Sequence, residues 1–291
     1  MSLYTLHHTP MHHAPMQPRQ HTLPASLQQI RRTQRISQLE LSLRLGVSQR
    51  HISFIENGRA KPSRALLAAW LQELQAPLFS CNEIMLQAGF APLYSEAPLD
   101  DPALAQANRA LEHLLSAHDP MPAIILDTHW NLLRMNNGAK WLAGTLMPWT
   151  RELIGSAPIN MIDLLSHPEG MLKQIINLEE AGVALLAHLR HEALSQPTLT
   201  ARIDALASLL GQRLGVQFLN PGLHRSPAPT LNIRYASPFG EIALFSMFTT
   251  FGTPQDITLA SLRVEHMFAA NRETQAIFAR HVGTQQQETP S

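Results

Sequence analysis

From Leu23 onward, apolar positions recur every three to four residues in short runs, each closed by a polar or turn-forming residue. That period puts one apolar stripe on a helix. A first helix is expected over about 24–34, apolar at Leu27 and Ile30. A second opens at Ser37 with Ser-x-x-Glu (Ser37, Glu40), a pairing that satisfies free amides at a helix start, and closes at Gly46 after Leu39, Leu41, Leu43 and Leu45. A third runs from the cap residue Ser48 to Asn57-Gly58. A fourth starts near Ser63 and carries Leu66, Leu67, Trp70, Leu71 and Leu74, and a fifth covers about 80–88 and ends at Gly89. Residues 23–90 thus read as a five-helix bundle. Residues 91–101, with two prolines, three acids and no period, read as a linker.

The pattern then becomes mixed. A helix over about 102–118 precedes a β-branched strand at 122–127, a turn at Thr128-His129-Trp130, a second strand at 131–136 and a short helix at 138–143. Residues 159–211 read as four Leu- and Ala-rich helices, followed by a loop at 221–229. Two strands, about 230–236 and 241–250, flank the hairpin Ser237-Pro238-Phe239-Gly240. Leu262, Val264, His266 and Phe268 alternate with period two, which predicts a last strand. Two strands, a helical insert and three strands are the chain order of a PAS-like sensor sheet. The expected fold class is α+β: a helical bundle, then a PAS-like domain over 102–272 with a five-stranded antiparallel sheet and inserted helices. Residues 1–22 and 273–291 are expected to be tails without regular structure.

Composition narrows the classes. A chain of 291 residues suggests about two domains, and 45% apolar content is enough for two cores and too much for a disordered chain. A single cysteine, Cys81, excludes an internal disulfide framework and a multi-Cys zinc site. No run approaches the length of a transmembrane helix, and the first residues lack a basic segment followed by an apolar one, so neither a membrane span nor a secretory leader is expected. The expected location is cytoplasmic. His7-His8 and His12-His13, near Met11 and Met16, can offer ligands to copper or nickel, but an unstructured tail accounts for them as well, and no metal site is assigned. Charge is uneven despite a net of zero. Between Arg19 and Arg64, nine Arg or Lys face two acids, Glu40 and Glu56, a local +7 that the rest of the chain balances. A basic segment beside an acidic body suits one domain that meets a polyanion and one that does not.

Residues 37–58 read SQLELSLRLGVSQRHISFIENG, a helix, a tight turn and a second helix. Leu41, Leu45, Val47, Ile52 and Ile55 can share one core, which leaves Gln49, Arg50, Ser53 and Phe54 on the opposite side of the second helix. Ser48, Gln49 and Arg50 at its start would enter a major groove first. Gln can bond adenine, Arg can bond guanine bidentately, and Phe can meet a thymine methyl. Arg59, Lys61 and Gln38 suit phosphate contact, together with the free amides at the start of the preceding helix.

These residues resemble the phage-repressor/Cro-type (XRE) helix-turn-helix regulators, matching at Ser37-Gln38, Leu41, Gly46-Val47-Ser48, Ile52-Ser53, Glu56 and Asn57-Gly58. The resemblance implies binding to a double-stranded DNA operator and a pairing of Arg31 with Glu56 inside the bundle. The chain departs at Arg35, where the family commonly has Gly, and at Ser42, where it commonly has Ala. A non-Gly residue in a left-handed cap costs about 1 kcal/mol. Further segments, AGFAP at 88–92, PAIILDTHWNLLRMNNGA at 122–139 and TTFGTPQDITLASLRVE at 249–265, resemble XRE regulators with an MmyB-like ligand-binding domain. That resemblance covers about 23–272 and implies a small apolar, fatty-acid-like effector.

The residues themselves say less about such a ligand. The Phe and Met group at Phe245, Met247, Phe248 and Phe251 suits a core or a pocket wall. Arg134, Arg234 and Arg263 lie in expected strands, where each can anchor a carboxylate or form a surface ion pair. His266 alternates with apolar neighbours, as a satisfied core histidine does. Trp130, Trp141 and Trp149 suit core or pocket. Around Thr249–Asp256 a loop caps the sheet, with Asp256 as a helix cap, or acts as a ligand-sensitive switch. The leading expectation is a ligand-responsive, DNA-binding regulator acting as a homodimer. The alternatives are an enzyme or a protein-interaction module using the second domain. Against an enzyme, the sequence has no Gly-x-Ser-x-Gly elbow, Gly-rich phosphate loop or His-Glu-x-x-His.

Overall fold

A computed structural model describes residues 22–152, 158–194, 196–215 and 230–282. The histidine pairs near the start, the expected loop at 221–229 and residues 283–291 lie outside the described residues. Contacts divide the chain between Tyr94 and Ser95.

The first unit contains α1 (Leu23–Thr33), α2 (Gln38–Leu45), α3 (Gln49–Glu56), α4 (Arg64–Glu73) and α5 (Leu78–Gln87). Three serines start three of these helices. Ser37, Ser48 and Ser63 accept from the backbone N–H of Glu40, His51 and Leu66 at 3.0, 3.2 and 3.2 Å. Gly46 ends α2 at φ 66°, and Arg35 leaves α1 at φ 55°, so the arginine does occupy a left-handed position. Leu27, Leu41, Ile52, Ile55, Trp70 and Leu71 are at the centre of the core. The four alternating leucines of α2 divide: Leu41 is buried, whereas Leu39 and Leu43 face solvent. A two-residue spacing swings through about 200° on a helix and cannot keep all four on one side. Asn82 on α5 holds residues 93–94, accepting from the N–H of Leu93 and Tyr94 at 2.8 and 3.0 Å and donating to the Tyr94 carbonyl at 2.8 Å.

The second unit is built on a sheet of strand order β3-β2-β1-β6-β5-β4, antiparallel throughout. Its strands are β1 (Ala123–Leu126), β2 (Asn131–Met135), β3 (Ile159–Asn160), β4 (Ile233–Ser237), β5 (Gly240–Thr250) and β6 (Arg263–Ala269). The sheet has six strands rather than the expected five, because β3 is a two-residue edge too short to show a period. The helices are α6 (Ala105–His118), α7 (Asn137–Leu146), α8 (Met161–Ser166), α9 (Leu178–Ala193), α10 (Thr200–Leu214), α11 (Ile257–Ser261) and α12 (Arg272–Val282). Part of the expected second tail is therefore helical: α12 buries Phe278 and Val282 completely. Phe278 and Val282 are one turn apart on its inner side, but the polar run that follows from Gly283 hides this short apolar stripe in the sequence.

Both faces of the sheet carry a packed layer, although β5 is exposed from Ser246 to Thr250. Ile124, Leu126, Tyr235, Leu244 and Met267 face α8, α9 and α10, while Ala123, Ile125 and Val264 pack on Leu111 and Leu115 of α6. Buried Asn136 caps α7 and ties the layers together, accepting from Ala139 and Ala123 N–H at 2.9 Å and donating to the Met121 carbonyl at 2.7 Å. Next to it, a Cβ on Gly138 would lie 2.3 Å from the Pro120 carbonyl oxygen, so only glycine fits there.

Candidate functional site

The turn between α2 and α3 orients α3. Ile52, Ile55 and Glu56 point into the bundle, Gln49 and Arg50 stand in solvent, and Ser53 and Phe54 are half-buried on the outer side. The Arg50 guanidinium lies 5.0 Å from the Phe54 ring centroid, which holds it along the helix rather than loose in solvent. Asn57 donates to the Ser53 carbonyl at 2.8 Å and to its hydroxyl at 3.3 Å. Arg59 and Lys61 are exposed just beyond the helix. Ser48 is at the N-cap, its hydroxyl oxygen bonded to the His51 amide.

Gln38 needs correction as a side-chain phosphate ligand. Its amide donates inward to Glu56 Oε2 at 2.8 Å, leaving its backbone position at the start of α2 as the outward feature. Glu56 is the hub there: Arg31 donates through Nε at 2.7 Å and Nη2 at 2.8 Å, and Arg31 Nη1 also donates to the Ile36 carbonyl. The hydrogen bonds from Arg31 to Glu56 outweigh burial and hold the guanidinium above its ordinary range. This buried pair joins α1, α3 and the entry to α2.

In the second unit a cavity of about 400 Å³ lies between the sheet and helices α8 and α9. Its wall is mostly apolar, with Leu165, Leu185, Leu244 and Met267 among the lining residues. Trp130, His188, Tyr235, Ser246, Phe248 and Glu265 add aromatic and polar groups. Burial pushes the Tyr235 phenol well up, so it stays neutral.

Trp130 sits at the cavity edge in the β1–β2 turn with φ 65°, a conformation that bulky residues seldom adopt. Asp127 Oδ1 supports that turn by accepting from His129 and Asn131 N–H. The Trp130 indole donates to Glu192 Oε2 at 2.6 Å. Arg263 Nη1 donates to Glu192 Oε1, and its guanidinium lies 4.2 Å from the Trp130 ring centroid and 5.5 Å from that of Phe248. His188 Nε2 is 3.0 Å from the same carboxylate. Burial raises the Glu192 carboxyl, but the hydrogen bonds from His188, Arg263 and Trp130 prevail and hold it at about 2.

The expected ligand anchors fare differently. Arg134 pairs with Glu112 at 2.8 Å and Arg234 with Glu241 at 2.6 Å, and neither lines the cavity. Arg263 borders the cavity through Trp130 and Phe248, but its charge is engaged by Glu192. Phe245 borders the cavity, but it shares the β5 face of Met247, and its ring stacks on Phe268 there. Met247 is exposed and pairs with His266 across β5 and β6, on the face away from the cavity. His266 is buried, with Nε2 3.1 Å from Thr249 Oγ1 and its ring edge-on to His118; burial, then His118, lowers its pKa. Met247 and His266 therefore cannot touch a ligand in this cavity. Asp256 caps α11, and its other oxygen accepts from Ser95 at 2.6 Å; burial raises the carboxyl, but these hydrogen bonds outweigh it and lower its pKa.

Sequence reasoning missed Glu192, Tyr235, Ser246 and Glu265. Alternation in the last strand marks Leu262, Val264, His266 and Phe268 as inward, which assumes one buried face. The 263, 265, 267 side is covered too, and an acid on the same side as Met267 was the available signal.

The family model described as MmyB-like transcription regulator ligand binding domain matches residues 107–280, more than half of the chain. The chain belongs to the MmyB-like transcription regulators. A helix-turn-helix model matches residues 27–79. The MmyB-like domain contains the cavity, and the helix-turn-helix region contains α2 and α3: this is a DNA-binding transcription regulator with a ligand-binding domain. No curated protein matches the chain. A solved RNA-binding light-oxygen-voltage receptor is similar at 11% identity and a TM-score of 0.23, over 91% of this chain and 63% of that one, too little to carry an argument. Among the described residues, no helix is long and apolar enough to cross a membrane.

Proposed function

We propose that a small apolar molecule occupies the cavity and that its binding changes affinity for a DNA operator. The observation that carries this reading is the cavity itself: about 400 Å³ of mostly apolar space in the ligand-binding domain, within the range of small-molecule sites. The effector acts through a difference in affinity between the DNA-competent and DNA-incompetent states, since equal affinity shifts nothing. The second domain serves this regulation rather than catalysis, and the protein works in the cytoplasm beside its operator. A long apolar chain, as in a fatty acid, suits the walls. Arg134 and Arg234 are paired with carboxylates of the protein away from the cavity, whereas Arg263 beside it uses Nη1 for Glu192 and keeps Nε and Nη2 buried without a partner among the described residues. Native mass spectrometry of the purified protein tests occupancy. An apolar adduct lost on Ala184→Trp, which fills the cavity wall, supports the reading; adducts unchanged by that substitution contradict it.

We also infer a homodimer. One helix-turn-helix module reads few base pairs, and a two-fold pair places two recognition helices on half-sites about 34 Å apart. Exposed Met247 on the outer sheet face is a place where the second domain can contribute. Sedimentation should show a dimer on operator DNA; a monomer both free and bound would contradict it.

A further inference from the structure

Residues 91–101 read in sequence as a linker, yet hydrogen bonds grip the chain on both sides of the Tyr94–Ser95 peptide. Within the first unit, Asn82 on α5 binds Leu93 and Tyr94. Within the second, the next residue is already bound. The Ser95 hydroxyl donates to Asp256 Oδ2 at 2.6 Å, and the Ala97 N–H donates to the same oxygen at 3.2 Å. The Ser95 carbonyl accepts from the Ile257 N–H at 2.8 Å, and the Ala97 carbonyl accepts from the Thr258 hydroxyl at 2.7 Å. Leu99 then packs with Phe251 and Leu259 on the cluster of Leu111, Leu115 and Val264. No unbound residue separates the two grips, so a shift of Ser95 reaches Tyr94 through one planar peptide group.

The segment that makes the second grip starts and ends beside the cavity. It leaves β5 just after Phe248, which lines the cavity, and returns to β6 at Arg263. The Arg263 guanidinium lies 5.5 Å from the Phe248 ring centroid, so the two ends of the segment meet at its base. Asp256 does not line the cavity and lies in the middle of the segment. Its two oxygens do different work: Oδ1 caps α11 by accepting from the Thr258 N–H at 2.8 Å, and Oδ2 holds residues 95–97. We propose that Asp256 is the positioning residue that couples the two units, fastening residues 95–97 to the 249–262 segment. A change at Phe248 and Arg263 on filling the cavity then passes through Asp256 to Ser95, and from Tyr94 to α5 through Asn82. Such a chain of bonds couples two sites only if its arrangement differs between the two states of the protein. The inference rests on the proposed regulation of DNA binding by cavity occupancy.

The test uses the full-length protein and measures operator affinity by fluorescence anisotropy with and without saturating 1-dodecanol, the bound adduct being verified by native mass spectrometry. In wild type, occupancy should change operator affinity by at least about fivefold. Asp256→Asn keeps an oxygen for the α11 cap and replaces the acceptor of Ser95 and Ala97 by an NH2 donor. It should keep the adduct and the operator affinity without 1-dodecanol, while the effect of 1-dodecanol falls below about twofold, the spread expected of independent sites. A second variant, with Gly-Gly inserted between Tyr94 and Ser95, leaves every side chain of both grips in place and should lose the effect as well. A merely structural role for Asp256 would lower thermal stability and leave the effect of 1-dodecanol unchanged. That effect surviving in either folded variant overturns the inference and leaves the regulatory reading intact. Loss of operator binding without 1-dodecanol in both variants also overturns it, because the grip would then be a structural tie alone. Failure of the regulatory reading has its own signature, which removes the inference with it: wild type takes up no adduct, or its operator affinity ignores the adduct.

Discussion

Arg263 on β6 and Glu192 on α9 form an ion pair beside the cavity, their side chains only 15% and 19% exposed. The pair fastens a helix to the central sheet, and Trp130 from the β1–β2 turn closes it with a second bond to the same carboxylate. Two further donors of Arg263, Nε and Nη2, are buried without a partner among the described residues. Such a charge tolerates the interior only while its counter-ion is present.

Glu192→Gln should therefore lower the stability of the second domain by about 3–5 kcal/mol at neutral pH, the cost of leaving a buried charge unpaired. The pH dependence has a definite sign. Glu192 is held at about 2, below its unfolded value, so its contribution is complete above about pH 5 and fades as pH falls toward 2. Thermal unfolding of wild type and variant across that range should converge at low pH; parallel curves would contradict the assignment.

On α3, Arg50→Ala should cost about 1–3 kcal/mol on the selected operator and relax one base position. Lys61→Ala should weaken all duplexes alike and flatten the salt dependence by about one unit of slope. Binding titrations at several salt concentrations separate the two. Unaltered base preference in Arg50→Ala would mean that another face of the bundle reads the bases.

Glu56→Ala removes the acceptor of Arg31 and Gln38 from the bundle interior. A loss of about 3–5 kcal/mol is expected in the helical unit, by calorimetry or chemical denaturation. A loss below about 1 kcal/mol, the range of exposed pairs, would show the pair to be solvated.

Arg35→Gly should stabilise the same unit by up to about 1 kcal/mol, because Arg35 occupies a left-handed conformation that glycine adopts freely. Calorimetry decides the sign. Destabilisation would mean that the gain in unfolded-chain entropy from the new glycine exceeds the relieved strain.

The reach of sequence reasoning follows the distance over which each feature is determined. The helix-turn-helix was legible because its signals are local: Ser37 and Ser48 cap helices three residues on, and Gly46 turns the chain between them. Strand β1 was legible from its β-branched run and β6 from period two, whereas the two-residue edge β3 was not legible. The polar cluster beside the cavity was not legible either, because Trp130 and Arg263 meet Glu192 across 62 and 71 residues. A lone arginine in a strand looks the same in sequence whether its carboxylate partner is in a ligand or in its own protein. Part of the segment beyond residue 272 was read as a tail because polar residues dominate it, although Phe278 and Val282 are one helical turn apart.

In the proposed regulation, occupancy of the cavity controls DNA binding. Its most direct test is the affinity for an operator selected from random duplexes, measured by fluorescence anisotropy with and without saturating 1-dodecanol, in wild type and Ala184→Trp. The expected result is a change of at least about fivefold in wild type, the scale of a typical coupling free energy, and none in the cavity-filled variant. Equal operator affinity in the wild-type protein with the cavity demonstrably occupied would contradict it.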